Sequence, residues 1–128
     1  MSFPRLGALA ITFTAGLAAQ VHVPALDPPG LGQILTSKKW TVIEFGGPTS
    51  VPCMKMQPVL AEIQQALGSR AQIRNFYVTQ YPTEAQVHKI MVMPTQVVFD
   101  PTGREVTRHI GYWPKGEFLS ALAKAGLK

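Results

Sequence analysis

The chain has 128 residues, of which 46% are hydrophobic, 12 are Lys or Arg, 7 are Asp or Glu and one is cysteine, and its net charge is +5. This length and hydrophobic content predict one domain with a hydrophobic core and exclude an intrinsically disordered protein. A single cysteine excludes an internal disulfide and every zinc site built on several thiolates. The basic residues are scattered, with Lys38-Lys39 as the only adjacent pair, which predicts a solvated basic surface and no nucleic-acid partner.

The first 19 residues differ in kind from the rest of the chain. Arg5 precedes an uncharged stretch from Leu6 to Ala19, which is shorter than the roughly 20 residues that a membrane-spanning helix needs. We predict a secretory signal peptide, removed after Ala18 or Ala19. The first alternative is an uncleaved amino-terminal anchor over residues 6–19, since a single Arg gives this segment little positive charge, and the second and least favoured is a purely cytosolic protein. With a signal peptide or an anchor, the folded part is expected outside the cytoplasm, periplasmic or secreted, with membrane contact only through an uncleaved segment.

Residues 20–30 contain three prolines and no apolar periodicity, which predicts a linker, so the domain is expected over 31–128. Helical and strand-like segments alternate along that domain. The predicted elements are a helix over 31–37, a strand over 40–45, a helix from about residue 53 to 67, a strand over 71–78, a helix over 83–90, strands over 96–99 and 105–110, and a helix from about residue 115.

The order of these elements predicts the fold class. Helices between strands imply parallel pairing through crossovers, and the turn residues of 100–103 predict an antiparallel hairpin of the last two strands. The expected architecture is therefore α/β, with three layers (α/β/α) around a central mixed sheet.

Two side chains are candidates for chemistry on their position alone. Cys53 follows a strand and a proline-containing loop at the start of a predicted helix, where the helix dipole and free N–H groups stabilise a thiolate; the alternative is a buried small hydrophobe. Glu44 is the one charge on an otherwise apolar strand. A buried carboxyl there would have a raised pKa and exchange protons near neutrality; the alternative is an edge residue that reaches solvent.

The sequence gives little support for a metal site or for a serine hydrolase. His22, His88 and His109 are dispersed, without paired spacing on one helix, so we expect no metal and no cofactor. Ser50 lacks the Gly-x-Ser-x-Gly context of a hydrolase nucleophile.

The run from Phe45 to Leu60 resembles the active-site segment of the thioredoxin family. In that family a strand ends in Phe, and a loop delivers Cys-x-x-Cys, often with Pro before the second cysteine, onto a helix with an interior Pro. Pro52 and Pro58 fall in the matching places, and Met93-Pro94-Thr95 resembles the family's cis-proline element. The resemblance covers about 40–127 and implies the thioredoxin fold, with four to five strands in its sheet.

One position departs from the family pattern. The family's first cysteine, the nucleophile, falls on Ser50, so that the motif reads Ser50-Val51-Pro52-Cys53. In the family mechanism an exposed first thiolate attacks a substrate disulfide, and the second cysteine resolves the mixed disulfide. The resemblance therefore implies that Cys53 is the resolving cysteine and that Glu44 is its buried proton acceptor.

The resemblance also implies a substrate groove, formed by Pro52, Met93, Pro94 and Thr95. There the backbone of Met93 can pair with an extended peptide.

Two functions follow. The first is an extracytoplasmic thiol-disulfide oxidoreductase, or protein-disulfide reductase, with a membrane-embedded thiol carrier as electron donor. Because a serine hydroxyl cannot form the mixed disulfide, this chain is expected not to complete the dithiol cycle, whether Ser50 is a natural loss or a silencing substitution. The second is a redox-inactive peptide-binding or chaperone-like module. A narrower third alternative leaves Cys53 as a lone thiol that is glutathionylated or joins a partner.

Overall fold

The structure is a computed structural model, and it describes residues 2–4, 7, 8, 10 and 22–128. Over these residues it has four α-helices, four strands and a 3-10 turn at Gly68–Arg70. The helices are α1 (Pro28–Leu35), α2 (Val51–Leu67), α3 (Pro82–Val87) and α4 (Lys115–Ala125); the strands are β1 (Trp40–Gly46), β2 (Ala71–Tyr77), β3 (Thr95–Phe99) and β4 (Glu105–Ile110).

The strands form a mixed sheet in the order β2-β1-β3-β4. β1 pairs parallel with β2 through the α2 crossover and antiparallel with β3, and β3 pairs antiparallel with β4. Each observed strand begins and ends within one residue of its predicted bounds. The predicted mixed α/β sheet is confirmed, with four strands over the described residues.

Side chains of β1 alternate between two cores, which accounts for the three layers. Val42 packs in the core that contains α2 and α4, whereas Ile43 and Phe45 pack with Leu31 and Ile34 of α1 on the other face. A strand with both faces covered is expected to be apolar almost throughout, as β1 is. Full burial of each such side chain contributes about 1.5–3 kcal/mol.

The segment expected to be a linker is instead part of the packed domain from Val23 onward. Val23 is buried, Ala25 forms a parallel bridge with Asn75, and the Leu26 N–H donates to the Asn75 carbonyl at 2.8 Å. Helix α1 also begins earlier than predicted, at Pro28. Proline fits the first helical turn because its missing N–H has no partner there, so the prolines that predicted a linker start a helix.

Helix α3 is shorter than predicted and covers Pro82–Val87 rather than 83–90. Lys89 has a φ of 55°, which a continuing right-handed helix cannot accommodate. The chain leaves the helix here and turns toward the loop that contains Pro94.

The predicted signal or anchor over residues 1–19 falls largely outside the described residues and stays a prediction. Among the residues that the structure does describe, no helix combines the length and apolar character that crossing a membrane requires.

Candidate active site at the start of helix α2

The candidate site is built by the end of β1 and the start of α2. Ser50 is the N-cap of α2, with extended backbone (φ −68°, ψ 126°), and its carbonyl accepts the Met54 N–H at 2.9 Å. Its hydroxyl makes no capping hydrogen bond with the described residues of the helix. Ser50 is half-buried, whereas Cys53, one turn further, is only 3% exposed. The structure therefore places the hydroxyl at the surface and the thiol beneath it.

Gly46, at the end of β1, makes room for the sulfur. A Cβ on Gly46 would lie 2.9 Å from Sγ of Cys53 and 3.9 Å from Cγ of Glu44. Both side chains thus approach the same side of this glycine. The structure brings the two predicted residues, Cys53 and Glu44, to one place.

Glu44 is buried, with 1% of its surface exposed. Desolvation raises the pKa of its carboxyl from 4.5 to about 8, against a smaller lowering by the hydrogen bond from Gln96. A carboxyl with that pKa holds its proton at neutral pH and can exchange it with a nearby thiol.

The loop before β3 completes the site. The Met93-Pro94 peptide is cis, Pro94 is buried, and the Thr95 hydroxyl donates to the Val92 carbonyl at 2.7 Å. The sulfur of Met93 lies 3.4 Å from where a Cβ on Gly47 would be. The predicted groove residues of this loop therefore lie against the loop that leads into α2, while Pro52 is exposed on the helix itself.

Apolar side chains around the site remain exposed. Val51 is 57% exposed and Met93 is 37% exposed, and between α3 and β3 Met91 and Val92 are 88% and 50% exposed. On the other side of α2, a groove runs along the helix toward Tyr112 and Pro114. Exposed apolar side chains grouped around one concave site are typical of a surface that binds another molecule.

Comparison with known proteins agrees with this geometry. Residues 31–124 match the family model of thioredoxin. The chain belongs to the thioredoxin family. Thioredoxin of Staphylococcus aureus is 29% identical over 83 residues, which are 65% of this chain and 79% of that protein. Chloroplastic thioredoxin Y of Oryza sativa subsp. japonica is 26% identical over 89 residues, 70% of this chain and 52% of that protein, so the chain spans about half the length of that relative.

The fold is shared with a solved thioredoxin. A crystal structure of chloroplastic thioredoxin z superposes with a TM-score of 0.73 at 16% identity, over 82% of this chain and 95% of that one. The predicted thioredoxin fold is confirmed, and thiol-disulfide oxidoreduction is the activity of the family to which the chain belongs.

Sequence reasoning missed a row of polar residues across the thioredoxin sheet. Asn75 of β2, Glu44 of β1, Gln96 of β3 and His109 of β4 are successive partners in the strand register. Gln57 of α2 closes one end of the row, since its side-chain amide and that of Asn75 exchange hydrogen bonds of 3.0 and 2.8 Å. The available signal was Gln96, a polar residue beside the apolar run Val97-Val98-Phe99 of β3.

His109 was predicted to be one of three dispersed histidines. In the structure its ring stacks on that of Trp113, with ring centroids 4.5 Å apart and an interplanar angle of 8°. Within the described part of the chain, no group of three or more His, Cys, Asp or Glu side chains is placed to hold a metal ion.

Replacing Gly46 with Ala is expected to destabilise the protein by about 1–3 kcal/mol, because the new methyl group would overlap Sγ of Cys53. Urea denaturation measures this loss. In a Cys53→Ala background most of it should disappear, since the sulfur is gone. Gly116→Ala, where no described atom lies within 4 Å of the added carbon, is the control and should be neutral or slightly stabilising. Equal losses with and without the sulfur would contradict the contact.

Proposed function

We propose that the chain is a thioredoxin-type protein of the extracytoplasmic kind that engages thiols and disulfides of polypeptides through the Ser50-Val51-Pro52-Cys53 site but cannot complete a dithiol cycle. The observation that carries the proposal is the pairing of a surface serine with a buried thiol. Ser50 occupies the N-cap position of α2, where members of the family have the attacking sulfur. Cys53, one turn further along the helix, is 3% exposed.

Thiol-disulfide exchange needs sulfur at the exposed position. A thiolate forms a new S–S bond with one substrate sulfur while the other leaves as a thiolate. A second thiolate of the protein then attacks this mixed disulfide, which forms a disulfide within the protein and releases the reduced substrate as a thiolate. A serine hydroxyl cannot form the first of these bonds. Cys53 cannot take over that step for a folded substrate, because its sulfur is shielded by the start of α2. Ser50→Cys, assayed by reduction of insulin, tests this proposal.

Glu44 is the proposed proton acceptor for Cys53. The two side chains approach the same side of Gly46, and burial raises the pKa of the Glu44 carboxyl to about 8, into the range in which a thiol titrates. In its ionised form, which a pKa of about 8 keeps accessible near neutral pH, this carboxyl would take the thiol proton as the sulfur becomes a nucleophile.

The proposed location is outside the cytoplasm, with a membrane-embedded thiol carrier as the electron donor of the family's dithiol form. The support is the pattern of the first 19 residues. Residues 1–30, fused to a reporter enzyme that is active only after export, should give an active reporter, and Ile11→Arg should abolish export by interrupting the apolar stretch near its middle. An inactive reporter with the unmodified segment would contradict the proposed location.

A second candidate function, a peptide-binding module, is favoured by the exposed apolar rim of the site. The unmodified chain is expected to bind an unfolded, carboxymethylated polypeptide, whose thiols are blocked, and Met93→Lys should weaken that binding about tenfold, as measured by fluorescence anisotropy. Val87→Lys, at a 71% exposed valine of α3, is the matched control and should leave it unchanged. Binding that disappears once the polypeptide thiols are blocked would exclude this candidate.

A further inference from the structure

The side chain of Gln96 holds the buried carboxyl of Glu44. The Nε2 group of Gln96 donates to both Glu44 oxygens at 3.2 Å and to the Gly111 carbonyl at 3.1 Å. Gln96 is completely buried, and its Oε1 lies 3.0 Å from Nδ1 of His109. Every polar atom of this amide therefore has a partner within the protein.

The surroundings decide which end of the amide faces Glu44. A backbone carbonyl can only accept a hydrogen bond, so the atom that faces Gly111 has to be the NH₂ group. Gly111 is itself fixed, because its N–H donates to the Pro94 carbonyl at 2.8 Å. With the NH₂ so placed, the carbonyl oxygen of Gln96 faces Nδ1 of His109. An acceptor there requires that Nδ1 carry the proton.

The imidazole of His109 is also held in orientation. It stacks on Trp113, which in turn stacks on Phe118 with ring centroids 4.1 Å apart. The backbone N–H of Trp113 donates to the sulfur of Met56. The ring plane is thus set by the core between α2 and α4. A ring held this way can present Nδ1–H to Gln96 without a compensating movement.

We propose that His109 and Gln96 are positioning residues for Glu44: the Nδ1–H of His109 fixes the Gln96 amide with its NH₂ group toward both carboxyl oxygens. The inference relies on the proposed function only for the role of Glu44 as proton acceptor of Cys53.

This orientation of the Gln96 amide favours the ionised form of the Glu44 carboxyl, against the larger and opposite effect of desolvation. An NH₂ group that faces both oxygens can only donate, which stabilises the carboxylate and gives no acceptor to the protonated acid. Without His109, the Gly111 carbonyl alone favours this orientation, and the amide can turn more easily to accept a hydrogen bond from the acid. Among the described titratable groups, Cys53 of α2 approaches the same side of Gly46 as Glu44, and His109 of β4 reaches Glu44 only through Gln96, while the β2 neighbour of Glu44, Asn75, is uncharged. His22 lines the narrow pocket beside Cys53.

The first test needs no substitution. In protein labelled with ¹⁵N-histidine, NMR at pH 8 should show His109 with its proton on Nδ1 and an unprotonated Nε2. Resonances are assigned by comparison with His109→Phe. The Nε2–H form would overturn the proposal.

The second test is a double-mutant cycle read as the NMR titration midpoint of the Glu44 carboxyl carbon. Gln96→Leu and His109→Phe should each raise the midpoint by about half to one pH unit, since each removes donors from the carboxylate or releases the amide. The double variant should shift no further than Gln96→Leu alone, because His109 acts through Gln96. Additive shifts, or none, would overturn the proposal.

Gln57→Leu is the matched control. This variant removes a buried glutamine amide of α2, the helix that covers the same face of the sheet. Because that amide is bonded to Asn75 rather than to Glu44, the Glu44 midpoint should not move. All these measurements keep Ser50 in place. They can therefore fail while Ser50→Cys gains activity, or succeed while it does not, which separates this inference from the proposed function.

Discussion

Ser50→Cys is expected to reduce insulin disulfides at least about a hundredfold faster than the unmodified chain, with dithiothreitol as reductant and turbidity as the readout. The gain follows from the place of residue 50. An N-cap side chain accepts the N–H of the second or third helical residue, and here the second is Pro52, which has none. A thiolate at position 50 would therefore accept the N–H of Cys53 and face the positive end of the α2 dipole.

Two further variants test the mechanism rather than the rate. Ser50→Ala should remain at the background of the unmodified chain, since the hydroxyl has no role in exchange. Ser50→Cys combined with Cys53→Ala should attack insulin and stop as a mixed disulfide, visible as a covalent adduct on a non-reducing gel. If the unmodified chain and Ser50→Cys reduce insulin at equal rates, the assignment of position 50 fails.

The fold was predictable because its pattern is local. The alternation of apolar segments with turn residues predicts each strand to within one residue, and the apolar strand 40–45 indicates a sheet covered on both faces. The place of Cys53 at the start of α2 follows from the same local order of strand, loop and helix. Helix ends were harder, since α1 begins on two prolines and α3 ends at a left-handed Lys89.

The polar row could not be predicted, because it depends on the register of β1 with β2 and with β3, which are far from β1 in the sequence. Gln96 and Glu44 are separated by 52 residues, and only the pairing of β1 with β3 brings their side chains together. The contact of Val23 with the Gln57 side chain is also remote, at 34 residues. A proline-rich segment carries no periodic signal of such packing, so sequence reasoning placed it outside the domain.

Glu44→Gln is expected to remove most of a stability loss that the unmodified chain shows as pH rises. The folded-state pKa of Glu44 is about 8, above the value of 4.5 for the exposed group. Between these values the folded protein retains a proton that the unfolded chain has released, so unfolding becomes easier as pH rises and levels off above about pH 8. At about 1.4 kcal/mol per pH unit, the unmodified chain should lose on the order of 5 kcal/mol relative to the variant.

The measurement is the free energy of unfolding in urea, taken for both proteins from pH 5 to pH 9. Gln has the shape of the protonated acid and its carbonyl can still accept from Gln96, so the two proteins should be similar at pH 5 and diverge as pH rises. Glu62→Gln is the matched control: this exposed carboxyl of α2 lies 3.6 Å from Lys115, and its removal should leave the curve parallel to that of the unmodified chain. Parallel curves for Glu44→Gln as well would mean that Glu44 does not hold its proton at neutral pH, and would contradict the raised pKa on which its match to a thiol is argued.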